Sequence, residues 1–415
     1  MSIPRTLFAL ALTALHSAIA ISTVEVKGSK FFTSEGNQIF IKGILYNGGD
    51  GLTNATQCAI DAKLMRQLGA NVVRTEQSAF NATTADCIKA FEEQELYLLA
   101  SLGQLKPSNL NNEPTWTTNL RDGLARNLDE LHQYDNLLGL YIMDWADNTW
   151  WSDAAAPVLK AAVADLKAYR DAMRYRKIPV GIFHTALTSR PHMDFFDCGN
   201  GTVAADFYSM TASDLCRDTD FATSSFNEFV DIAGSLDAPV FIADNTCPGS
   251  RPFSDQPWIL GEWSDRLSGN ILTEWYRYFS TSEEVSELSF VNYTHGVGIG
   301  TPSLFPAYST LSSQWATLSP SGMKATAYTP TATKRACPTS ASDWTLDERA
   351  GTDIPTLGLS GLTTATPSST KGTGDADNAN SSDKANLGAI VGGAVGEPRQ
   401  FSFKGIRSSM EIARR

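Results

Sequence analysis

Between Ile21 and Cys337, short β-branched and apolar runs alternate with stretches of helical spacing, and this alternation limits the fold of the 415-residue chain more than any other feature. The runs predict strands over Ile39–Leu45, Asn71–Arg74, Leu96–Ala100, Leu138–Ile142, Pro179–Phe183, Val203–Tyr208, Pro239–Ala243 and Ile271–Tyr276. Between them, apolar residues recur every third or fourth position, as in Ile60, Leu64 and Leu68, in Leu120, Leu124 and Leu128, and in Leu159, Val163, Leu166, Tyr169 and Met173. Eight strand–helix alternations in roughly 300 residues predict an α/β fold, a (β/α)8 TIM barrel rather than a doubly wound sheet. A Ser/Thr-rich tail without a core of its own follows.

Composition then removes function classes. With 45 acidic and 33 basic residues the formal charge is −12, which argues against a nucleic-acid partner, because replacing phosphate counterions requires a basic surface. No glycine-rich phosphate loop follows a predicted strand, and the five histidines and six cysteines show no metal-ligand spacing. No cofactor and no metal is expected. No apolar run approaches the length of a membrane-spanning helix.

The two ends read as appendages. Arg5, the apolar run Leu7 to Leu15 and the small-residue site Ala18-Ile19-Ala20 make residues 1–20 a secretory signal peptide. Export makes disulfides of the cysteines and gives meaning to five glycosylation sequons, at Asn54, Asn81, Asn200, Asn292 and Asn380. The barrel is expected over 21–337. Residues 338–386 form a Ser/Thr-rich linker that buries too little surface to offset its ordering entropy. Over 387–415 an apolar run, Leu387 to Gly396, precedes Arg399, Lys404, Arg407, Arg414 and Arg415, which resembles an incomplete membrane or lipid anchor signal.

In a barrel of this type the chemistry sits just after the strands, on the C-terminal face. Those positions hold Tyr46, Glu76, Asp144, Trp145, Asp147, His184, Asp214, Asp244 and Glu274, with Trp150 and Trp151 in the loop of Asp144. Acids and aromatics at one mouth suit a carbohydrate site, where rings stack on sugar faces and paired carboxylates cleave glycosidic bonds.

Specific segments carry a resemblance. They are Val26-Lys-Gly-Ser-Lys-Phe-Phe, Ile41-Lys-Gly-Ile-Leu-Tyr46, Leu68-Gly-Ala-Asn-Val-Val-Arg74 and Pro114-Thr-Trp-Thr117. Tyr134-Asp-Asn-Leu-Leu-Gly139, Tyr175-Arg-Lys-Ile-Pro-Val-Gly181, Ala205-Asp-Phe-Tyr208 and Pro239-Val-Phe241 continue the series. Over about Val24 to Pro320 the chain resembles the fungal cell-wall β-1,3-glucanosyltransferases, glycoside hydrolase family 72. The resemblance implies a secreted (β/α)8 enzyme in the cell wall or on the outer face of the plasma membrane, with β-1,3-glucan as its partner. It implies the pairings Cys58–Cys87, Cys198–Cys337 and Cys216–Cys247, one of fifteen connectivities open to six cysteines. Tyr46, Glu76, Asp144 and Arg190 fall at its substrate-binding positions.

Family chemistry is retaining and uses two carboxyl groups about 5–5.5 Å apart, a nucleophile and an acid/base. Here the chain departs. The acid/base segment Gly-Asn-Glu falls on Met143-Asp144-Trp145, so an indole stands where the proton donor belongs. The nucleophile segment falls on Ala243-Asp244-Asn245-Thr246-Cys247, so that carboxylate is one methylene shorter. A Tyr of the family after strand two is Glu76, and an aromatic run after strand six reads Thr211-Ala-Ser-Asp-Leu-Cys216. The expected function is therefore to act on or bind wall β-1,3-glucan, with transglycosylation in doubt. The alternative is a weak retaining glucanosyltransferase or glucanase using Asp244 with Asp144 or Asp147 as the acid.

Overall fold

The chain enters through an antiparallel sheet of three short strands, β1 (Val24–Lys27), β2 (Lys30–Thr33) and β3 (Gln38–Ile39). The computed structural model describes residues 21–46, 52–76, 80, 82–105, 115–144, 155–184, 190–211, 226–245, 251–276, 289–293, 301–334, 336–337 and 354–360. On β2, neighbouring side chains point to opposite faces, and both faces are covered. Phe31 rises into the floor of the barrel against Phe207 and Phe241, at ring-centroid distances of 5.7 and 6.3 Å. Phe32 turns the other way and meets Tyr328 of the returning C-terminal segment at 5.7 Å.

Eight parallel strands then close a barrel: β4 (Ile41–Leu45), β5 (Val72–Thr75), β6 (Tyr97–Leu105), β7 (Leu137–Asp144), β8 (Val180–His184), β9 (Tyr208–Thr211), β10 (Val240–Asn245) and β11 (Gly269–Leu272). The last pairs with the first, Ile271 opposite Gly43. A two-stranded antiparallel sheet, β12 (Val291–Tyr293) with β13 (Pro302–Leu304), follows the barrel. The predicted TIM barrel is thus the observed one, with all eight strands in order.

Several predicted boundaries move: Ile39 belongs to β3 and not to β4, and β6 and β7 run on to Leu105 and Asp144. Val203 to Phe207 is not strand: Val203 and Ala204 both donate their N–H to the Asn200 carbonyl in a turn, and β9 begins only at Tyr208. β11 stops at Leu272, so Glu274 to Tyr276 lie beyond the sheet.

Glycine spacing fixes the barrel floor. The Phe207 ring lies across Gly139 and Gly181, where an added Cβ would come within 2.7 and 2.4 Å of ring carbons. Only a strand residue without a side chain admits that ring. Around it Ile41, Val72, Leu99, Leu138, Phe241 and Ile271 complete a buried inner core with Phe31.

The outer layer holds α1 (Ala55–Leu68), α2 (Ala82–Glu93), α3 (Thr118–Leu131), α4 (Ala155–Ala172), α5 (Arg190–Asp197), α6 (Phe226–Gly234) and a C-terminal helix Pro306–Thr317. Asn54 caps α1 by accepting the Gln57 N–H at 3.1 Å, and Gly69 ends it at φ 102°, a left-handed conformation that favours glycine. α4 buries Leu159, Val163, Leu166 and Tyr169 as its spacing predicts. α1 follows its apolar period in part: Leu68 is buried and Leu64 packs half-buried against the core, whereas Ile60 is exposed and Cys58, Asp61 and Met65 face inward.

Past Thr317 the chain runs back beneath the barrel. Lys27 donates to the carbonyls of Ala325 and Tyr328 at 2.7 and 2.6 Å, and Lys334 pairs with Asp197 at 2.6 Å. Cys337 then bonds Cys198. Within the Ser/Thr-rich stretch, residues 354–360 lie on α3 and α4, so contact with the barrel continues beyond residue 338. The predicted signal segment 1–20, the rest of the predicted linker and the segment 387–415 lie outside the described residues. Among the described residues no helix is long and apolar enough to cross a membrane.

Candidate functional site

The C-terminal ends of the strands bring Tyr46, Glu76, Asp144, His184 and Asp244 to one end of the barrel, while Trp150, Trp151 and Asp214 lie outside the described residues. Asp144 ends β7, in register with Leu105 of β6 and His184 of β8. Asp244 is next to last on β10, three strands further round the barrel. Between Ile242 and Asn245 that strand takes three steps against two on β11, a bulge that bends the backbone at Asp244. The fourth and seventh barrel strands therefore each carry a carboxylate residue to the mouth. The side chains of Asp144, Asp244 and Arg190, and all of Trp145 and Asp147, lie outside the described residues, as does the Cys216–Cys247 pair. Arg190 opens α5.

Glu76 is held from below. Arg74 lies two residues earlier on the same face, fully buried, and donates from a terminal guanidinium nitrogen to Glu76 Oε1 at 2.8 Å. Its Nε donates to the Tyr141 hydroxyl at 3.1 Å, and that hydroxyl donates to the Thr75 carbonyl at 2.9 Å. The guanidinium also stacks over the Phe183 ring, 4.0 Å from its centroid. The Glu76 side chain keeps 27% of its surface exposed, so the carboxylate just past β5 is held by Arg74 while still open to hydrogen-bond donors.

Tyr46 behaves differently from its predicted role in contact with substrate. Its ring is buried against Phe91, and its hydroxyl turns toward α1. There it donates to Asp61 Oδ2 at 2.9 Å and shares a 2.7 Å bond with the Tyr276 hydroxyl. Tyr276 and Tyr293 also donate to the Asp61 carboxylate, and the Gln57 amide donates to Tyr293 at 2.6 Å. Burial pushes the Asp61 carboxyl above its ordinary range, against the opposing effect of the phenol bonds. Burial foremost, then the Asp61 charge, raises Tyr46 well above the ordinary phenol value. Tyr46 is therefore a poor proton donor at neutral pH, and the cage fixes the chain leaving β4 and β11.

The cage is not legible in the sequence, because Asp61 is an acid on a helix and two of its partners, Tyr276 and Tyr293, lie more than 200 residues away. Sequence reasoning also missed Arg74 and Tyr141, although the same-face spacing of Arg74 and Glu76 was available as a signal. Glu274 is buried, and its charge, with that of Asp255, favours the charged form of Arg251 against burial, which lowers that guanidinium to about 10. Among the described residues no group of three or more His, Cys, Asp or Glu is arranged to hold a metal ion.

Two of the three disulfides implied by the resemblance form, Cys58–Cys87 and Cys198–Cys337. Three sequon residues, Asn54, Asn200 and Asn292, are exposed; Asn81 and Asn380 lie outside the residues whose side chains are described.

Comparison with known proteins places this geometry. A family model described as glucanosyltransferase, glycoside hydrolase family 72, matches residues 13–317. The 1,3-beta-glucanosyltransferase gas1 of Schizosaccharomyces pombe is 29% identical over 357 residues, covering 81% of this chain and 63% of that protein. The 1,3-beta-glucanosyltransferase GAS2 of Saccharomyces cerevisiae is 28% identical over 324 residues, covering 72% and 56%. The chain thus spans less than two thirds of either relative's length. The solved structure of Saccharomyces cerevisiae Gas2p in complex with laminaritriose and laminaritetraose superimposes with a TM-score of 0.67 at 27% identity, over 78% of this chain and 75% of that one. With the family model covering nearly the whole barrel and the same closed sheet beneath it, the chain belongs to the glucanosyltransferases of glycoside hydrolase family 72.

Proposed function

We propose that this chain binds β-1,3-glucan at the barrel mouth, with glucanosyl transfer lost or strongly reduced. The reading rests on a scaffold of the family, whose relative Gas2p is solved with laminari-oligosaccharides, together with the sequence resemblance that puts Trp145 at the acid/base position and Asp244 at the nucleophile position. An indole has no proton to give at neutral pH, and loss of a general acid costs about 10²–10⁴-fold. A carboxylate one methylene short sits about an ångström from the attacking position, a misplacement that can cost about 10² more. Glu76, held by Arg74, supplies a fixed acceptor for sugar hydroxyls, which supports retention of glucan without its cleavage.

The proposed setting is the cell wall or the outer face of the plasma membrane, reached through the signal segment 1–20. An anchor at the incomplete signal over 387–415 belongs to the same reading. The exposure of Asn54, Asn200 and Asn292 supports glycans at those sequons.

A second reading keeps weak retaining activity, with Asp244 as nucleophile and Asp144 or Asp147 as acid. It is favoured by the placement of Asp144 and Asp244 at the ends of β7 and β10, strands four and seven of the barrel. Incubation with end-labelled laminari-oligosaccharides separates the two. Retention on insoluble β-1,3-glucan with no new oligosaccharides supports the first. Longer and shorter products that vanish in Asp244→Ala support the second. The paired restoration Trp145→Glu with Asp244→Glu should raise transfer by at least about 10³-fold if the rest of the mouth is intact.

A further inference from the structure

We propose that the Cys198–Cys337 disulfide is a thiol-exchange site, at which Lys160 stabilises the departing Cys198 thiolate. Lys160 lies in the middle of α4 and is 1% exposed. Its Nζ stands 2.9 Å from Cys198 Sγ and 3.5 Å from Cys337 Sγ. It also donates to the carbonyls of Phe195 and Cys198, and the Phe195 ring lies 4.8 Å away. Capping the end of α5 accounts for the two carbonyl bonds but not for an ammonium set against sulfur. The two cysteines differ in access: Cys198 is fully buried, whereas Cys337 is partly exposed at the end of the returning segment.

This asymmetry sets the direction of exchange. The thiolate of a low-molecular-weight thiol attacks Cys337 Sγ, the sulfur of the partly exposed residue. A new S–S bond forms between the incoming sulfur and Cys337. The Cys198–Cys337 bond breaks, and its electron pair stays on Cys198 Sγ beside the Lys160 ammonium. A second thiol displaces Cys337 from the mixed disulfide and leaves as the small disulfide. Two thiols are oxidised for one protein disulfide reduced. The returning segment is then held by the Lys334–Asp197 ion pair and by residues 354–360.

The charged groups bearing on Lys160 are Asp197 of α5 and Lys334 of the returning segment. Burial lowers the ammonium to about 7; Asp197 opposes that shift and Lys334 adds to it. Lys160 therefore gains or loses its proton within the range where thiols exchange. An adjacent ammonium lowers a thiol pKa from about 8.5 into the range of about 3.5–7.5. Two units of leaving-group pKa at a sensitivity of about 0.5 correspond to about tenfold in rate. The Cys58–Cys87 bond is the internal reference. Both its cysteines are buried, and the neighbour of Cys58 Sγ is the Tyr46 hydroxyl at 3.8 Å.

The test exposes the oxidised full chain to reduced glutathione between pH 5.5 and 8.5. Samples are acid-quenched and alkylated, and each cysteine peptide is quantified by mass spectrometry. Cys198–Cys337 should open at least about tenfold faster than Cys58–Cys87, with the glutathione adduct on Cys337. After division by the thiolate fraction of glutathione, its rate should step down as pH rises through about 7. Lys160→Met should slow opening about tenfold at pH 6 and remove that step. Equal or faster opening in Lys160→Met with Cys58–Cys87 unchanged would overturn the proposal, as would an adduct on Cys198. The absence of a pH step in the unaltered chain overturns it without recourse to any variant.

Discussion

Asp165 on α4 makes the docking of residues 354–360 measurable. Its carboxylate is 2% exposed and accepts three N–H bonds: Trp116 Nε1 at 2.7 Å, Leu357 N at 2.8 Å and Gly358 N at 3.1 Å. Arg121 of α3 completes the attachment by donating to the Gly358 carbonyl at 2.8 Å. A hydrogen bond to an ionised group contributes about 1.5–3 kcal/mol, so the two backbone bonds from the docked segment carry about 3 kcal/mol between them at the lower bound. Asp165→Ala removes both bonds and also leaves the Trp116 indole N–H without its acceptor. Deletion of 354–360 removes the two bonds from the other side. In a double-mutant cycle read by urea unfolding, the two changes should couple by about 3 kcal/mol, whereas independent sites add to within about 0.5 kcal/mol. Asp165→Ala should cost only about 1–2 kcal/mol in the deleted chain, where Trp116 alone remains. Equal costs of Asp165→Ala in both backgrounds would refute the docking and return residues 354–360 to a linker.

Three further outcomes follow from the same packing. Phe31→Ala, which empties the floor between Phe207 and Phe241, should cost about 3–5 kcal/mol in chemical denaturation. Arg74→Met should cost about 2–3 kcal/mol in the same assay, less than a fully buried pair because Glu76 is partly exposed, and should weaken retention on insoluble glucan. Burial raises the Asp61 carboxyl, so the folded chain binds that proton more tightly than the unfolded one. The resulting stability is full below the ordinary carboxylate range and is lost as pH rises through the folded value. Melting temperature recorded against pH should show this, flatten in Asp61→Asn, and shift the loss to higher pH in Tyr276→Phe.

The fold was legible because its signals are local. Helical period marked α3 and α4, and β-branched runs marked the strands; side-chain periodicity is a property of neighbouring residues. The failures were tertiary. At α1 the apolar period named Ile60, yet the disulfide at Cys58 and the cage at Asp61 turn the helix so that Ile60 is exposed. Val203 to Phe207 has strand composition, but Phe207 is spent filling the space above Gly139 and Gly181 before the ladder begins. At the mouth, position was legible and partnership was not. Glu76 was placed by its strand, whereas its fixing by Arg74, Tyr141 and Phe183 required three strands to meet. The disulfides came from resemblance alone, since six cysteines in sequence do not choose among fifteen pairings.

The contacts that hold the barrel closed lie largely away from the chemistry. Phe31 seals the floor, Lys27 grips the returning segment beneath it, and Cys198–Cys337 and Asp165 fasten the flank. Phe31 and Lys27 lie on the short strands that precede the barrel, and Cys198 and Asp165 lie at the outer helices α5 and α4. The exchanges proposed at Trp145 and Asp244 fall at the C-terminal ends of β7 and β10, the opposite end of the barrel from that floor. Stability and catalysis are thus separable in this architecture, and persistence of the scaffold is not evidence for turnover. The same separation makes the restoration of both carboxylates a clean experiment: the two residues enter a mouth whose supports, from the Arg74–Glu76 pair to the Asp61 cage, remain in place. With urea unfolding of the double variant measured alongside, gain or lack of transfer reports on the chemistry of the mouth.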